Sequence, residues 1–139
     1  MIIFDNLSFK QIKAHAEYIF PDECCGFLFG TEHPDGTRVV EKLKEVKNAQ
    51  PGDQRRRFEI TGKDYMLAEK FAVEQSLTLL GVYHSHPNHP AIPSEHDRIA
   101  ALPYFSYVIV SVMNGSTDEI CSWRLNEVSQ FEEEKFSLI

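Results

Sequence analysis

At 139 residues, with 42% hydrophobic, 25% charged and 12% aromatic residues, the chain has the size and composition of one folded domain, which excludes disorder as its main state. The net charge of −7, from 14 Lys and Arg against 21 Asp and Glu, argues against nucleic acid as a partner, because phosphate affinity needs clustered positive charge. No apolar run approaches the ~20 residues that cross a bilayer, and the opening MIIFDNLSFK lacks the basic and apolar pattern of a secretory leader, so neither a membrane partner nor export is expected.

The first periodic segment is SFKQIKAHAEYIF, where Phe9, Ile12, Ala16, Ile19 and Phe20 fall on one helical face. Ser8 with Gln11 reads as its capping box, and Pro21 ends it. CCGFLFG is a short apolar strand closed by Gly30. His33–Thr37 (HPDGT) is a turn and RVVEKLKEV a second strand, which together predict a hairpin. Asn48–Arg57 is a polar loop, followed by a short strand at Phe58–Ile60. A second amphipathic helix spans about Gly62–Ser76, capped by Thr61 with Asp64. LTLLGVYHS reads as a buried strand, and HPNHPAIP, with three prolines, as irregular structure. SEHDRIAAL is a short helix starting at Ser94. YFSYVIVSVMNGS is a strand turning at Asn114-Gly115, with DEICSWRL as its hairpin partner. VSQFEEEKF alternates as an edge strand or a helical tail. This order predicts an α/β class, a single-domain mixed β-sheet with flanking helices.

Cys24, Cys25 and Cys121 are an odd count without zinc-ribbon spacing. A disulfide between neighbours is strained, so free thiols in a reducing cytoplasm are expected, packed as small hydrophobes.

The segment HSHPNHPAIPSEHD, His84 to Asp97, carries the chemistry. His84 and His86 lie two apart at a strand end, so period-two geometry turns both imidazoles to one side, about 7 Å apart along the chain. Ser85 faces the other way. Asp97 opens the following helix, and the proline-rich loop can fold that helix back over the strand end. Two neutral imidazoles and one carboxylate are a ligand set for catalytic Zn²⁺ with a fourth position for water. Each piece alone has a plainer reading: Ser94-x-x-Asp97 is a capping box, and an isolated His-x-His pair is more often packing or surface histidine. Their combination arises by chance on the order of once in a thousand chains of this composition.

HSHP-x6-S-x2-D resembles the JAMM motif of the JAMM/MPN metalloprotease family. PDECCGFLFG is similar to that family's strand with the catalytic glutamate, which falls here on Glu23. Asn48, Arg57-Phe58 and LGVYHSHP also resemble the compact bacterial members. The resemblance runs from about residue 7 to 125 and implies an MPN fold, related to the cytidine-deaminase-like sandwich. It implies His84, His86 and Asp97 as Zn²⁺ ligands, Glu23 as general acid–base and Ser94 as donor to the oxyanion. It also implies the substrate: with no room for the long insertions of the eukaryotic deubiquitinases, the chain resembles proteases acting on ubiquitin-like sulfur-carrier proteins with a Gly-Gly tail. The implied reaction is hydrolysis after Gly-Gly, trimming extra residues or releasing an attached cysteine.

Two other readings stand beside it. A catalytically silent MPN-type interaction module is disfavoured by the presence of all five motif residues. A JAMM-like role in DNA metabolism is disfavoured by the net charge, with Arg55–Arg57 as its one basic run. That run reads as a solvated loop or a patch for an acidic partner. His89 and His96 read as solvated or as supports for the ligands, His15 and His33 as surface, Glu132–Glu134 as a solvated tail, and Tyr107 and Trp123 as core. Nothing in the sequence specifies an oligomeric state.

Overall fold

The computed structural model describes residues 1–139. In chain order the elements are β1 (Ile2–Phe4), α1 (Asn6–Ile19), β2 (Cys25–Glu32), β3 (Arg38–Val46), α2 (Gly62–Glu74), β4 (Thr78–Pro87), α3 (Glu95–Ala100), β5 (Ser106–Met113), β6 (Ser116–Leu125), β7 (Phe131–Glu134) and β8 (Phe136–Leu138). All strands join one sheet in the order β7-β6-β5-β4-β2-β3-β1-β8. β2 runs antiparallel to β3 and β4, while β4 and β5 are parallel. β1 is also parallel to β3 and β8, so the sheet is mixed, and the β4–β5 step is bridged by the proline-rich loop and α3.

Alternation along the central strands builds two cores. Leu28, Leu80, Tyr83, Val108 and Val110 pack with Ile12 and Ala16 of α1. Phe27, Phe29, Val82 and Tyr107 point the other way and pack with Ala68 and Ala72 of α2. The two long helices thus cover opposite faces, and the apolar run in β4 is the signature of a strand buried on both sides. Gly81 allows the close approach of β5, since a Cβ there would overlap the Ser106 carbonyl. No helix is long and apolar enough to cross a membrane.

Several local expectations are corrected. α1 is capped by Asp5, whose side chain accepts from the Ser8 N–H at 2.7 Å. Asp is as good a cap as Ser, and sitting three residues earlier it starts the helix earlier. Phe58–Ile60 forms no strand, because neighbouring groups turn to Asn48 instead of a ladder: Asn48 Oδ1 accepts from Glu59 N–H and Asn48 Nδ2 donates to the Arg57 carbonyl. β4 extends through His86 to Pro87. Its pairing with β2 stops at His84, so Pro87 has only β5 beside it and its missing N–H is tolerated as on an edge strand.

VSQFEEEKF ends in two short strands, and Glu134 is buried, accepting from the Ser106 and Ser122 hydroxyls at 2.8 and 2.9 Å. His15 is buried too, with Nδ1 2.8 Å from the Tyr83 hydroxyl. Tyr107 is core and Trp123 half-buried. All three cysteines are free, and burial pushes the thiols of Cys24 and Cys25 up to about 12, so neither is a ready thiolate ligand.

Candidate metal centre

β4 supplies two imidazoles and α3 one carboxylate. Strand alternation places the His84 and His86 rings on one side, and they lean together until their Nε2 atoms are 3.1 Å apart. Asp97 Oδ2 lies 3.3 Å from His84 Nε2 and 3.2 Å from His86 Nε2. Tetrahedral ligands at the ~2.0–2.1 Å of zinc–nitrogen and zinc–oxygen bonds stand about 3.3 Å from one another. The three edges of this triangle therefore fit one zinc-sized ion, and no fourth His, Cys, Asp or Glu joins the cluster.

The surroundings prepare each donor atom. His86 Nδ1 is 2.8 Å from the Pro90 carbonyl, so that nitrogen carries the proton and Nε2 is left as a lone pair. His84 is fully buried, its ring stacked on Phe58 with centroids 4.4 Å apart. Burial favours the neutral, ligating form and holds its pKa below the ordinary histidine value, outweighing Asp97, which pulls the other way. Asp97 is the third residue of α3, behind the N-cap Ser94. The Ser94 N–H donates to Asp97 Oδ2 at 2.9 Å, and the Asp97 N–H donates to Ser94 Oγ at 3.0 Å. The capping-box and ligand readings of this carboxylate are thus compatible, because the cap aims the oxygen that faces the imidazoles. Burial raises the Asp97 pKa, but His84, the hydrogen bond with His86 and the Ser94 N–H outweigh it and hold the carboxyl well below the usual range.

The loop between the histidines and Ser94 is pinned by residues outside the five of the motif. Asn88, at a positive φ of 57°, accepts from the Asn114 N–H at 2.8 Å. The Ser111 hydroxyl donates to the His89 carbonyl, and Trp123 Nε1 donates to the Ala91 carbonyl at 2.9 Å. An asparagine within a proline-rich turn is the one signal that pointed there. His89 and His96 do not join the ligand cluster.

Glu23 sits just before β2. The register Cys25↔His84 continues through Ser85 N–H to the Cys24 carbonyl (3.2 Å) and Cys24 N–H to Ser85 Oγ (2.8 Å), which sets Glu23 across from His86. Its backbone is held on both sides, by Asn48 Nδ2 donating to its carbonyl at 3.1 Å and by its N–H donating to the Gln54 carbonyl at 2.8 Å. The residue is 4% exposed and its Oε1 has no partner. Burial, then Asp97, pushes its carboxyl up to about 9.

A pH test follows for the metal-free protein. Between the ordinary glutamate range and about 9, folded Glu23 holds a proton that the unfolded chain releases. This contribution to stability is fully present below the ordinary range and is lost as pH rises toward 9, at up to ~1.4 kcal/mol per pH unit. Thermal melts in chelator should show Glu23→Gln gaining on the wild type from pH 5.5 to 8.5. Parallel pH profiles would contradict the burial of this carboxyl.

Glu23, His86 and Ser94 line one cleft of ≈ 470 Å³. His84 and Asp97 also border an apolar cavity of ≈ 260 Å³, walled by Phe58, Ile60, Tyr65 and Tyr107. The five residues singled out by sequence are therefore neighbours: three converge on one point, and two open onto the cleft beside it.

Comparison with known proteins agrees with this picture. Residues 8–126 match the family model described as prokaryotic homologs of the JAB domain. The chain is 30% identical over 125 residues to the CysO-cysteine peptidase of Mycobacterium tuberculosis, spanning 89% of this chain and 82% of that one. It is 28% identical over 113 residues to the desampylase of Pyrococcus furiosus, spanning 81% and 74%. The crystal structure of a JAB1/MPN domain protein from Archaeoglobus fulgidus matches 100% of this chain and 99% of its own with a TM-score of 0.64 at 18% identity, a likeness of fold alone. With the family model covering most of its length and a 30% identical peptidase among its relatives, this chain belongs to the prokaryotic JAB branch of the JAMM/MPN metallopeptidases.

Proposed function

We propose that the chain is a zinc peptidase that hydrolyses the bond after the C-terminal Gly-Gly of a ubiquitin-like sulfur-carrier protein, freeing what is attached beyond it. The observation that carries this reading is the buried, unpartnered Glu23 carboxyl opening onto the same cleft as His86 and Ser94. A silent interaction module has no use for such a group, which is costly to bury. The relation to a CysO-cysteine peptidase supports a small leaving group.

His84, His86 and Asp97 would hold the ion. Bound Zn²⁺ supplies Lewis acidity, lowering the pKa of a water toward ~7 and polarising the scissile carbonyl. Glu23 takes the proton of the attacking water and returns it to the leaving amine, a role typically worth ~10²–10⁴ in rate. A cation held by the three ligands would favour the ionised form of Glu23, the form that accepts a proton. The Ser94 oxygen already accepts from the Asp97 N–H, which leaves its O–H to donate to the tetrahedral oxyanion. Glycines suit a groove that must admit bare backbone close to the ligands. Three free thiols fit a cytoplasmic protein.

The direct test is incubation of the zinc-loaded protein with a carrier that bears residues beyond Gly-Gly, followed by mass spectrometry. Cleavage after Gly-Gly, abolished by chelator and restored by zinc, is expected. Chelator-insensitive cleavage, or an intact carrier with stoichiometric zinc present, would contradict it.

A further inference from the structure

The fold divides the one basic run of the chain. Arg55 pairs with Asp53 at 3.6 Å. The Arg57 carbonyl accepts from Asn48. Neither the Arg56 nor the Arg57 guanidinium has a carboxylate or carbonyl partner, but of the three only Arg56, exposed on its loop, lines the cleft shared by Glu23, His86 and Ser94. The backbone beside it is held, because the Gln54 carbonyl two residues earlier accepts from the Glu23 backbone N–H at 2.8 Å, while Gln54 Nε2 donates to the carbonyls of Asn48 and Gln50. The segment bearing the arginine is thus tied to the backbone of the carboxyl that handles the proton.

We propose that Arg56 sets the specificity of the leaving-group side by binding a free α-carboxylate, so that the preferred substrate carries a single amino acid beyond the scissile bond. The inference rests on the peptidase reading above and narrows it. Glu23 must return a proton to the leaving nitrogen, so the leaving residue lies in the cleft of Glu23. In a terminal amino acid the carboxylate is one carbon removed from that nitrogen, within roughly 4 Å of it. An isopeptide leaving group instead carries the four methylenes of a lysine there and no nearby charge. A guanidinium matches a carboxylate in a paired, two-hydrogen-bond geometry that ammonium groups lack. The only carboxyl lining this cleft is that of Glu23, and it forms no ion pair with Arg56. In a chain of net charge −7, an unpaired arginine at that spot selects for an anion. Ile92, 60% exposed on the same cleft, offers apolar contact to the side chain of the departing residue.

The test uses zinc-loaded protein and two carriers ending in Gly-Gly-Ala, one a free acid and one a primary amide. The wild type is expected to favour the acid by about tenfold or more in kcat/KM. Arg56→Gln slows the acid far more than the amide, so that the two rates converge, and keeps its zinc. Arg56→Lys recovers part of the preference, and Arg55→Gln keeps all of it. A wild type without preference, or an Arg56→Gln variant with the wild-type ratio, overturns the assignment. Binding of free alanine and alaninamide, followed by NMR shifts in the wild type and Arg56→Gln, decides the question separately from turnover. Tighter alanine binding that depends on Arg56 supports it, and equal binding by both proteins overturns it. If neither carrier is cut, the Gly-Gly reading falls while the alanine measurement still decides the role of Arg56.

Discussion

Replacing His84 with alanine removes stoichiometric zinc and, with it, peptidase activity. Three protein atoms form the binding triangle, with edges of 3.1, 3.2 and 3.3 Å, and His84 is the most deeply buried of the three. Loss of a supporting hydrogen bond behind a ligand typically costs 10–100-fold in metal affinity, and loss of the ligand itself costs more. Cys24 and Cys25 offer no substitute, since burial keeps both thiols protonated. Metal analysis after dialysis reads the result, and circular dichroism verifies the fold. A folded His84→Ala protein with one zinc per chain would show that the ion sits elsewhere.

Glu23→Gln separates binding from chemistry. Glutamine keeps the size and polarity of the side chain, and Glu23 is not one of the three converging residues. Zinc content should match the wild type. Turnover should fall by about 10²–10⁴, because a glutamine amide cannot take a proton from water and hand it to an amine. The fall should appear in kcat with little change in KM, since substrate binding does not use the transferred proton. Full activity in Glu23→Gln would remove Glu23 from the mechanism.

What the sequence discloses is what local geometry controls. His84 and His86 were legible from strand alternation, and Ser94 and Asp97 from cap spacing, because each pair lies within one turn or one strand. The hairpin of β2 and β3 and the turn at Asn114-Gly115 were legible for the same reason. Glu23 was not, except through family resemblance: it lies 61 residues or more from the histidines, and only the β2–β4 register brings it across from His86. His15 and Glu134 read as surface because their polar partners are distant in the chain, Tyr83 for the first and Ser106 for the second. A buried polar residue can be recognised only once its partner is located. β1 escaped because three residues carry no periodicity. Arg56 looked like a third of a basic run until the fold placed it, and neither neighbour, on the cleft of Glu23.

Zinc X-ray absorption spectroscopy on the loaded wild-type protein tests the centre itself. One zinc per chain is expected, four-coordinate, with nitrogen and oxygen at ~2.0–2.1 Å and the outer-shell scattering of two imidazoles. Sulfur at ~2.3 Å, a single imidazole, or zinc far below one per chain would contradict it.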